Sequence, residues 1–177
     1  MNNKIILLCG ESGSGKTTVA TLLEDIYGMK QLQSYTTRPP RFEGETGHIF
    51  ITEEEFDNIK PEDMVAYTKY NGYRYCGTSQ QVDQSDVYVI DLLGIQYFIN
   101  HYKGNKEYII VYLYVPENVR EERMKGRGDN IEAIRSRKQY DSDAFENVQY
   151  IASYSIINED SRLTAQEIRN LAIEENI

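Results

Sequence analysis

The hydrophobic and polar positions of the chain alternate between two periods. Apolar runs at 5–9, 87–91 and 107–115 predict buried strands, and helical spacing of apolar residues follows each of them. Residues 29–33 and 155–158 predict two further short strands. Strands that alternate with helices are typical of an α/β fold with a parallel sheet, so the pattern predicts one domain of that class.

The pattern changes at the pair Asn71-Gly72. Weakly alternating runs flank this pair on both sides, and Asn-Gly between two such runs is the strongest short-range signal for a β-hairpin. We therefore expect an antiparallel element inserted into the alternating chain. The tyrosines of these runs serve either as walls of a pocket for a planar ring or as ordinary residues of an exposed hairpin.

Two capping boxes mark the starts of predicted helices. Thr52 with Glu55, and Thr164 with Glu167, place a hydroxyl and a carboxylate three residues apart, the spacing at which both bond free backbone N–H groups. The first box predicts a short acidic helix, and the second predicts the last helix of the chain.

The segment between the first strand and the first helix satisfies every position of the phosphate-loop pattern G-x-x-x-x-G-K-[ST]. Its glycines let backbone N–H groups approach an anion, and the helix adds its positive N-terminal end. Lys16 is expected to place its charge on the β and γ phosphates of a nucleoside triphosphate, and Thr17 to bind the bridging Mg²⁺. The alternative is a Gly/Ser-rich turn before an ordinary helix. The residues expected at the nucleotide are Gly10, Glu11, Ser12, Gly13, Ser14, Gly15, Lys16, Thr17 and Thr18.

Composition and charge narrow the classes of partner. The chain has 177 residues and a formal net charge of −9, which disfavours nucleic acid and anionic membranes as partners. No apolar run approaches the ~20 residues of a membrane span. Cys9 and Cys76 show no metal-ligand spacing and fit a reducing compartment, so we expect a cytoplasmic protein that binds small molecules. Its oligomeric state stays open between monomer and homodimer.

Arginines gather in two segments of this acidic chain. The octet 34–41 contains hydroxyl groups, two prolines, Arg38 and Arg41, and an anion site and a rigid surface turn with solvated arginines both account for it. The join Gly126-Arg127-Gly128 lies between two predicted helices. It is either the hinge of a lid that closes arginines over a phosphate or an ordinary glycine helix stop.

Asp91 ends a predicted buried strand. Ligands bind outside the carboxyl edge of such sheets, so we expect Asp91 to lie near the phosphate loop, although a helix-capping role also fits its position.

Several segments in order resemble the guanylate kinase family of P-loop nucleoside monophosphate kinases. They are GESGSGKTT, SYTTRPPR, GETGHIF, GYRYCGTS, VIDLLG, ERMKGRG with the following IRSR, and IIN. The resemblance implies a three-layer α/β/α fold with a five-stranded parallel core sheet. It divides the chain into a core (1–33, 86–125 and 146–177), an acceptor-binding insertion with a small antiparallel sheet (34–85) and a lid (126–145).

The resemblance also implies roles for individual residues. Four positions, namely Ser34, Arg38, Arg41 and Tyr75, would hold the acceptor phosphate, with His48 in hydrogen-bonding reach of it. Three arginines, namely Arg123, Arg127 and Arg137, would join Lys16 in clamping the transferred phosphoryl group. Asn158 would lie near the donor adenine, and either Thr78 or Ser79 would face the acceptor together with Asp91.

Two positions depart from the family pattern. Ala66 occupies the place of the glutamate that accepts hydrogen bonds from guanine, and alanine cannot make those bonds. Asp91 is followed by Leu92 and Leu93, where the family has an Asp-x-Asp pattern. The phosphate site of the acceptor is therefore expected to be intact while its base site is altered.

Together these features predict an ATP-dependent, Mg²⁺-assisted kinase that converts GMP or dGMP to the diphosphate. One alternative is a related P-loop kinase that acts on another mononucleotide or on a phosphorylated sugar. A second is an inactive guanylate-kinase-like module that binds proteins; the complete phosphate loop argues against it.

Overall fold

The computed structural model describes residues 3–174 and contains the alternating elements that the sequence predicts. The strands are β1 (Lys4–Cys9), β2 (Ser34–Thr36), β3 (His48–Phe50), β4 (Met64–Tyr70), β5 (Tyr73–Thr78), β6 (Val87–Val89), β7 (Glu107–Tyr114) and β8 (Tyr154–Ile157). The helices are α1 (Lys16–Tyr27), α2 (Glu53–Asp57), α3 (Ser79–Asp83), α4 (Leu92–His101), α5 (Glu117–Gly126), α6 (Ile131–Phe145) and α7 (Ser161–Glu174), with short 3₁₀ turns at Pro61–Asp63 and Val148–Tyr150.

The core is a parallel sheet in the order β6-β1-β7-β8, covered by helices on both faces. Every residue of β1 is buried, as expected of a central parallel strand. One hydrophobic cluster joins the sheet to α4, and a second joins its other face to α1 and α7. This three-layer α/β/α arrangement is the predicted fold class.

The core sheet has four strands, so the expected count of five was wrong. Residues 29–33 contribute only an isolated parallel bridge between Gln31 and Val87. The chain turns at Gly28, which has a left-handed φ of 66°, and enters the second sheet at Ser34. Backbone hydrogen bonds toward the sheet are confined here to Lys30 and Leu32, which bond residues 86 and 87, so the fifth position at the sheet edge is rudimentary.

The insertion forms a second sheet in the order β3-β2-β5-β4. The predicted hairpin joins β4 to β5, with Asn71 and Gly72 at φ values of 49° and 82°. The expected antiparallel character holds for β2-β5 and β4-β5, but β2 and β3 pair in parallel. A long crossover between β2 and β3 replaces a tight turn, and this makes the sheet mixed.

One of the two predicted capping boxes forms at the start of a helix, and the other does not. Thr52 and Glu55 form the full reciprocal box at α2. The last helix begins earlier than predicted, at Ser161, because the Asp160 carboxylate accepts the backbone N–H groups of residues 162 and 163. Thr164 instead donates its hydroxyl to Asn158 inside the protein.

Within residues 3–174, no helix is long and apolar enough to cross a membrane.

Candidate active site

The phosphate loop, residues 10–17, connects β1 to α1 at the carboxyl edge of the core sheet. Gly10, Gly13 and Gly15 have φ values of 155°, 82° and 91°, a region that side-chain-bearing residues rarely adopt. Lys16 folds back over the loop and donates from Nζ to the carbonyls of Gly10 (2.6 Å) and Glu11 (3.0 Å). Burial lowers the pKa of Lys16, and the nearby Asp141 carboxylate opposes that shift. The loop thus has the form of an anion cradle.

Asn158 braces the loop from β8. Its Nδ2 donates to the Ser14 carbonyl (2.7 Å), and its Oδ1 accepts from Thr164 (3.1 Å). The side chain is 1% exposed. A Cβ at Gly15 would lie 2.5 Å from this Nδ2, so the amide fills the space that glycine leaves. The amide therefore supports the phosphate loop from within the protein, and the expected position of Asn158 near a donor adenine stays a prediction.

Arg123 also lies against the loop and not over the cavity. Its guanidinium donates to the carbonyls of Gly13 (3.3 Å) and Asn158 (3.2 Å). We expected Arg123 beside a transferred phosphoryl group. Its contacts instead support the backbone that would hold the phosphates.

A buried polar network that the sequence did not predict ties the lid to the phosphate loop. Asp141, in α6, accepts the backbone N–H of Ser12 (2.8 Å) and lies 3.9 Å from Nη1 of Arg120. Arg120 also pairs with Glu11 (3.5 Å), whose other oxygen accepts the Tyr112 hydroxyl (2.8 Å). The Glu11 side chain is therefore structural, and only its backbone faces the cradle.

A cavity of about 270 Å³ extends from the phosphate loop to the second sheet, under α6. Aromatic side chains form part of its wall, as in a pocket for a planar ring. Its residues include Gly10, Ser12, Lys16, Ser34, Arg41, His48, Ala66, Tyr67, Thr68, Tyr70, Tyr75, Tyr88, Asp91, Arg137, Tyr140 and Asp141. Residues from several of the sequence segments that carry the family resemblance therefore line one cavity.

Glu45 holds the arginines of the loop between β2 and β3. Its carboxylate accepts from both Nη groups of Arg38 (2.8 and 3.2 Å) and from the backbone N–H of Arg41 (2.7 Å). Burial would raise the pKa of Glu45, but these bonds outweigh it and lower the pKa. Glu45 was not among the expected site residues, although the Gly-Glu-Thr-Gly segment that contains it was recognised.

Ser34 and His48 meet at one wall of the cavity. The Ser34 hydroxyl and His48 Nδ1 are 2.9 Å apart, and the imidazole stands edge-on to Tyr75, with ring centroids 5.7 Å apart. Burial and the charge of Arg38 lower the pKa of His48 to about 4. The ring is therefore neutral near pH 7 and offers one donor and one acceptor.

Asp91 has both roles that its sequence position suggested. One carboxylate oxygen accepts the N–H of Gly94 (2.6 Å) and caps α4, while the same residue lines the cavity. The Thr68 hydroxyl also donates to it (2.9 Å), and burial raises the pKa of Asp91. Ala66 lies nearby in the cavity wall.

Thr78 and Ser79, one of which was expected to face the acceptor, do not line the cavity. Thr78 is the N-cap of α3, in a full capping box with Gln81, and Ser79 is the first residue of that helix. The preceding Gly77 makes room for Tyr88, because a Cβ there would lie 2.8 Å from the tyrosine hydroxyl. In this structure Tyr88, and not Thr78, faces the cavity.

The guanidinium groups of Arg127 and Arg137 converge on a carboxylate between α5 and α6. Arg127 and Arg137 both contact Asp129, and Arg137 also lines the cavity. Two further loop residues, Thr17 and Thr18, are exposed at the start of α1. The Ser14 hydroxyl is buried and has no hydrogen-bond partner among the described residues.

The proteins that are similar to this chain in sequence include several guanylate kinases. A family model described as an AAA domain matches residues 6–149. Guanylate kinase of Neisseria gonorrhoeae is 33% identical over 147 residues, which cover 75% of this chain and 69% of that protein. Guanylate kinase of Neisseria meningitidis serogroup A is 29% identical over 178 residues, covering 94% and 85%.

Solved structures show the same fold. Guanylate kinase from Anaplasma phagocytophilum superposes with a TM-score of 0.66 at 22% identity, covering 98% of this chain and 86% of that one. Shikimate kinase from Acinetobacter baumannii, in complex with shikimate, gives a TM-score of 0.54 at 18% identity, covering 97% and 94%.

Proposed function

The chain belongs to the guanylate kinase family and carries an AAA domain over residues 6–149, and on that premise we propose that it transfers the γ-phosphoryl group of ATP to a nucleoside monophosphate. One observation carries the proposal. A single cavity joins Lys16 of the phosphate loop to Ser34, Arg41 and His48 at its far wall, with Arg137 of the lid above. This spacing of cationic and hydrogen-bonding groups suits two phosphorylated ligands that face each other.

The reaction needs no general base, because the acceptor oxygen of a nucleoside monophosphate is already anionic. Catalysis is then positioning and charge neutralisation, as in other phosphoryl transfers. Phosphate-loop N–H groups and Lys16 hold the donor phosphates, while Arg41, Ser34 and His48 hold the acceptor phosphate. Arg127 and Arg137 offset the charge on the transferred group. Arg38 acts mainly by fixing the loop through Glu45.

The exposed hydroxyl of Thr17 fits a bound Mg²⁺, which prefers oxygen ligands and usually keeps substrate phosphates and waters in its shell. Residues 3–174 contain no group of three or more His, Cys, Asp or Glu side chains that could hold a metal. A site completed by the nucleotide is consistent with that composition. When bound, the ion would neutralise charge on the donor phosphates.

Two candidates remain for the base of the acceptor nucleotide. GMP or dGMP is the first candidate because of the family, but Ala66 provides no carboxylate for guanine. Another mononucleotide is therefore the second candidate, and the aromatic wall of Tyr67, Tyr70 and Tyr75 favours it over a phosphorylated sugar.

A coupled assay of ADP release tests the proposal. GMP, dGMP, AMP, CMP, UMP, dTMP and several phosphorylated sugars are supplied in turn, with Lys16→Ala as the inactive control. We expect turnover with at least one mononucleotide and loss of at least a thousandfold in the Lys16 variant, since its charge acts in the transition state. Turnover of sugars alone, or no acceptor-dependent ADP release, would overturn the proposal.

A further inference from the structure

Asp129 lies between α5 and α6, and its backbone is fixed by the end of α5. The Asp129 N–H donates to the Met124 carbonyl (3.1 Å), and the Gly128 N–H donates to the Lys125 carbonyl (2.9 Å). Gly128 has a φ of 91°. This pair of bonds is a Schellman motif, which ends the helix in one defined geometry. The next residue, Asn130, caps α6, so Asp129 has little freedom to move.

From this fixed position the Asp129 carboxylate contacts an arginine on each side of the hinge. Arg127 donates from Nε and Nη2 to the two oxygens (3.3 and 2.5 Å), and Nη1 of Arg137 lies 3.3 Å from Oδ2. The Asp129 side chain is 16% exposed, and Arg137 is 25% exposed. The Arg127 side chain is 49% exposed, so its contact with Asp129 faces solvent, whereas the contact of Arg137 lies beside the cavity that Arg137 lines.

A third arginine belongs to the same electrostatic group. Burial and the charges of Arg38, Arg137 and Arg127 lower the pKa of Arg41, and the charge of Glu45 opposes that shift. Hydrogen bonds from Arg127 lower the pKa of Asp129, with further contributions from Arg137 and Arg41. Among the described residues, Asp129 is the carboxylate that contacts both Arg127 and Arg137, while Arg41 pairs with Glu45 (3.7 Å).

We propose that Asp129 is a positioning residue for phosphoryl transfer, which holds Arg127 and Arg137 in one arrangement before the substrates bind. A guanidinium has five N–H donors, so an arginine held on one edge by a carboxylate can bind phosphate with its other edge. Fixing both arginines in advance removes the cost of collecting them around the transferred group. This inference rests on the proposed function of the two arginines.

Two variants and one matched control separate positioning from a general effect on folding. Asp129→Asn keeps the size of the side chain but removes its charge, and Asp129→Glu keeps the charge. The control is Asp143→Asn, since Asp143 is an exposed acid in α6, the helix that carries Arg137, and contacts Gln139. Arg127 is about half exposed, and ion pairs at such positions contribute little to stability, so all variants are expected to fold.

In steady-state kinetics we expect kcat of Asp129→Asn to fall roughly 10- to 100-fold, with KM for ATP and acceptor changed less than about threefold. Asp129→Glu should recover part of kcat, and the control should match the wild type. The same Asn substitution made in a chain lacking both arginine side chains should have no further effect. A kcat of Asp129→Asn equal to that of the wild type would overturn the inference. So would an equal fall in kcat when Asp129→Asn is made in the chain that lacks the Arg127 and Arg137 side chains.

A second readout does not depend on activity. In ¹⁵N-arginine NMR spectra of the ligand-free protein, the guanidinium groups of Arg127 and Arg137 should rotate slowly in the wild type and control, and rapidly in Asp129→Asn. If the two guanidinium groups rotate as slowly in Asp129→Asn as in the wild type, the inference is overturned, whether or not the protein transfers a phosphoryl group. Absence of any transfer with slow rotation intact would contradict the proposed function alone.

Discussion

Replacing Glu45 by glutamine removes the charge that holds the arginines between β2 and β3. The Glu45 and Arg38 side chains are 8% and 10% exposed, and their fork-to-fork contact is joined by the N–H of Arg41. Glutamine keeps the length of the side chain and one acceptor oxygen. Its amide N–H groups, however, would face the donors of the guanidinium.

The expected loss follows from the burial of this pair. Removing one partner of a buried ion pair costs about 3–5 kcal/mol. Arg38 keeps its bond to the Pro39 carbonyl (2.9 Å), and glutamine keeps one acceptor, so we expect a loss of about 2–3 kcal/mol in the free energy of unfolding. For a domain of this size, that corresponds to a melting temperature lower by about 4–12 °C.

Thermal unfolding followed by circular dichroism measures this loss, with Glu43→Gln as the control because Glu43 is exposed in the same loop. The pKa of Glu45 is lowered from its usual value of 4.5, so its contribution is complete above that pH and is lost as pH falls through the lower pKa of the folded state. The difference between wild type and Glu45→Gln should therefore be largest near pH 7 and shrink in acid.

The same variant tests the site, because Arg41 lines the cavity and its backbone is held by Glu45. We expect KM for the acceptor to rise about tenfold with KM for ATP unchanged. Equal melting temperatures of wild type and variant at pH 7, or a difference that grows as pH falls, would refute the reasoning.

Three further predictions concern the phosphate loop and the cavity wall. Asp141→Ala removes the acceptor of a loop N–H and should lower the free energy of unfolding by about 1–3 kcal/mol in urea titrations; an unchanged midpoint would count against the network. Gly15→Ala would place a Cβ 2.5 Å from Nδ2 of Asn158 at a φ of 91°, so ATP affinity measured by calorimetry should fall at least tenfold, and undiminished binding would contradict the fit. Because burial and Arg38 lower the pKa of His48 to about 4, the acceptor KM should have the same pH profile from 5.5 to 8 in His48→Gln as in the wild type, whereas an inflection lost in the variant would show that the ring titrates there.

The phosphate loop and the alternating core were predictable because their signals are contiguous in the chain. Residues 10–17 form one motif with a strand before it and a helix after it. The hairpin at Asn71-Gly72 was equally local, since left-handed φ values at a two-residue turn require such residues. Local chemistry of this kind does not depend on distant parts of the fold.

The supporting contacts were not predictable because they join distant residues without a motif. Asp141 meets the Ser12 N–H across 129 positions, and Thr68 meets Asp91 across 23. Asn158 was recognised by resemblance, but its bond to Ser14, through which it supports the phosphate loop, spans 144 positions. Side chains that position a site are chosen by tertiary packing, which a single sequence does not display.

The start of α7 shows a competition between two local signals. Thr164 with Glu167 has the spacing of a capping box, yet Asp160 captures the free N–H groups of residues 162 and 163 first. Thr164 is then free to bond Asn158, which holds the phosphate loop. A helix one turn longer than predicted thus contributes to the site.

Transfer of label from [γ-³²P]ATP tests the central claim most directly. Each mononucleotide is incubated with the protein beside its unphosphorylated nucleoside, and products are separated by thin-layer chromatography. The account predicts label in a nucleoside diphosphate, absent with the nucleoside and absent with Lys16→Ala. Label that is found only in inorganic phosphate, or equally in products of the nucleoside, would contradict a reaction between two facing phosphates.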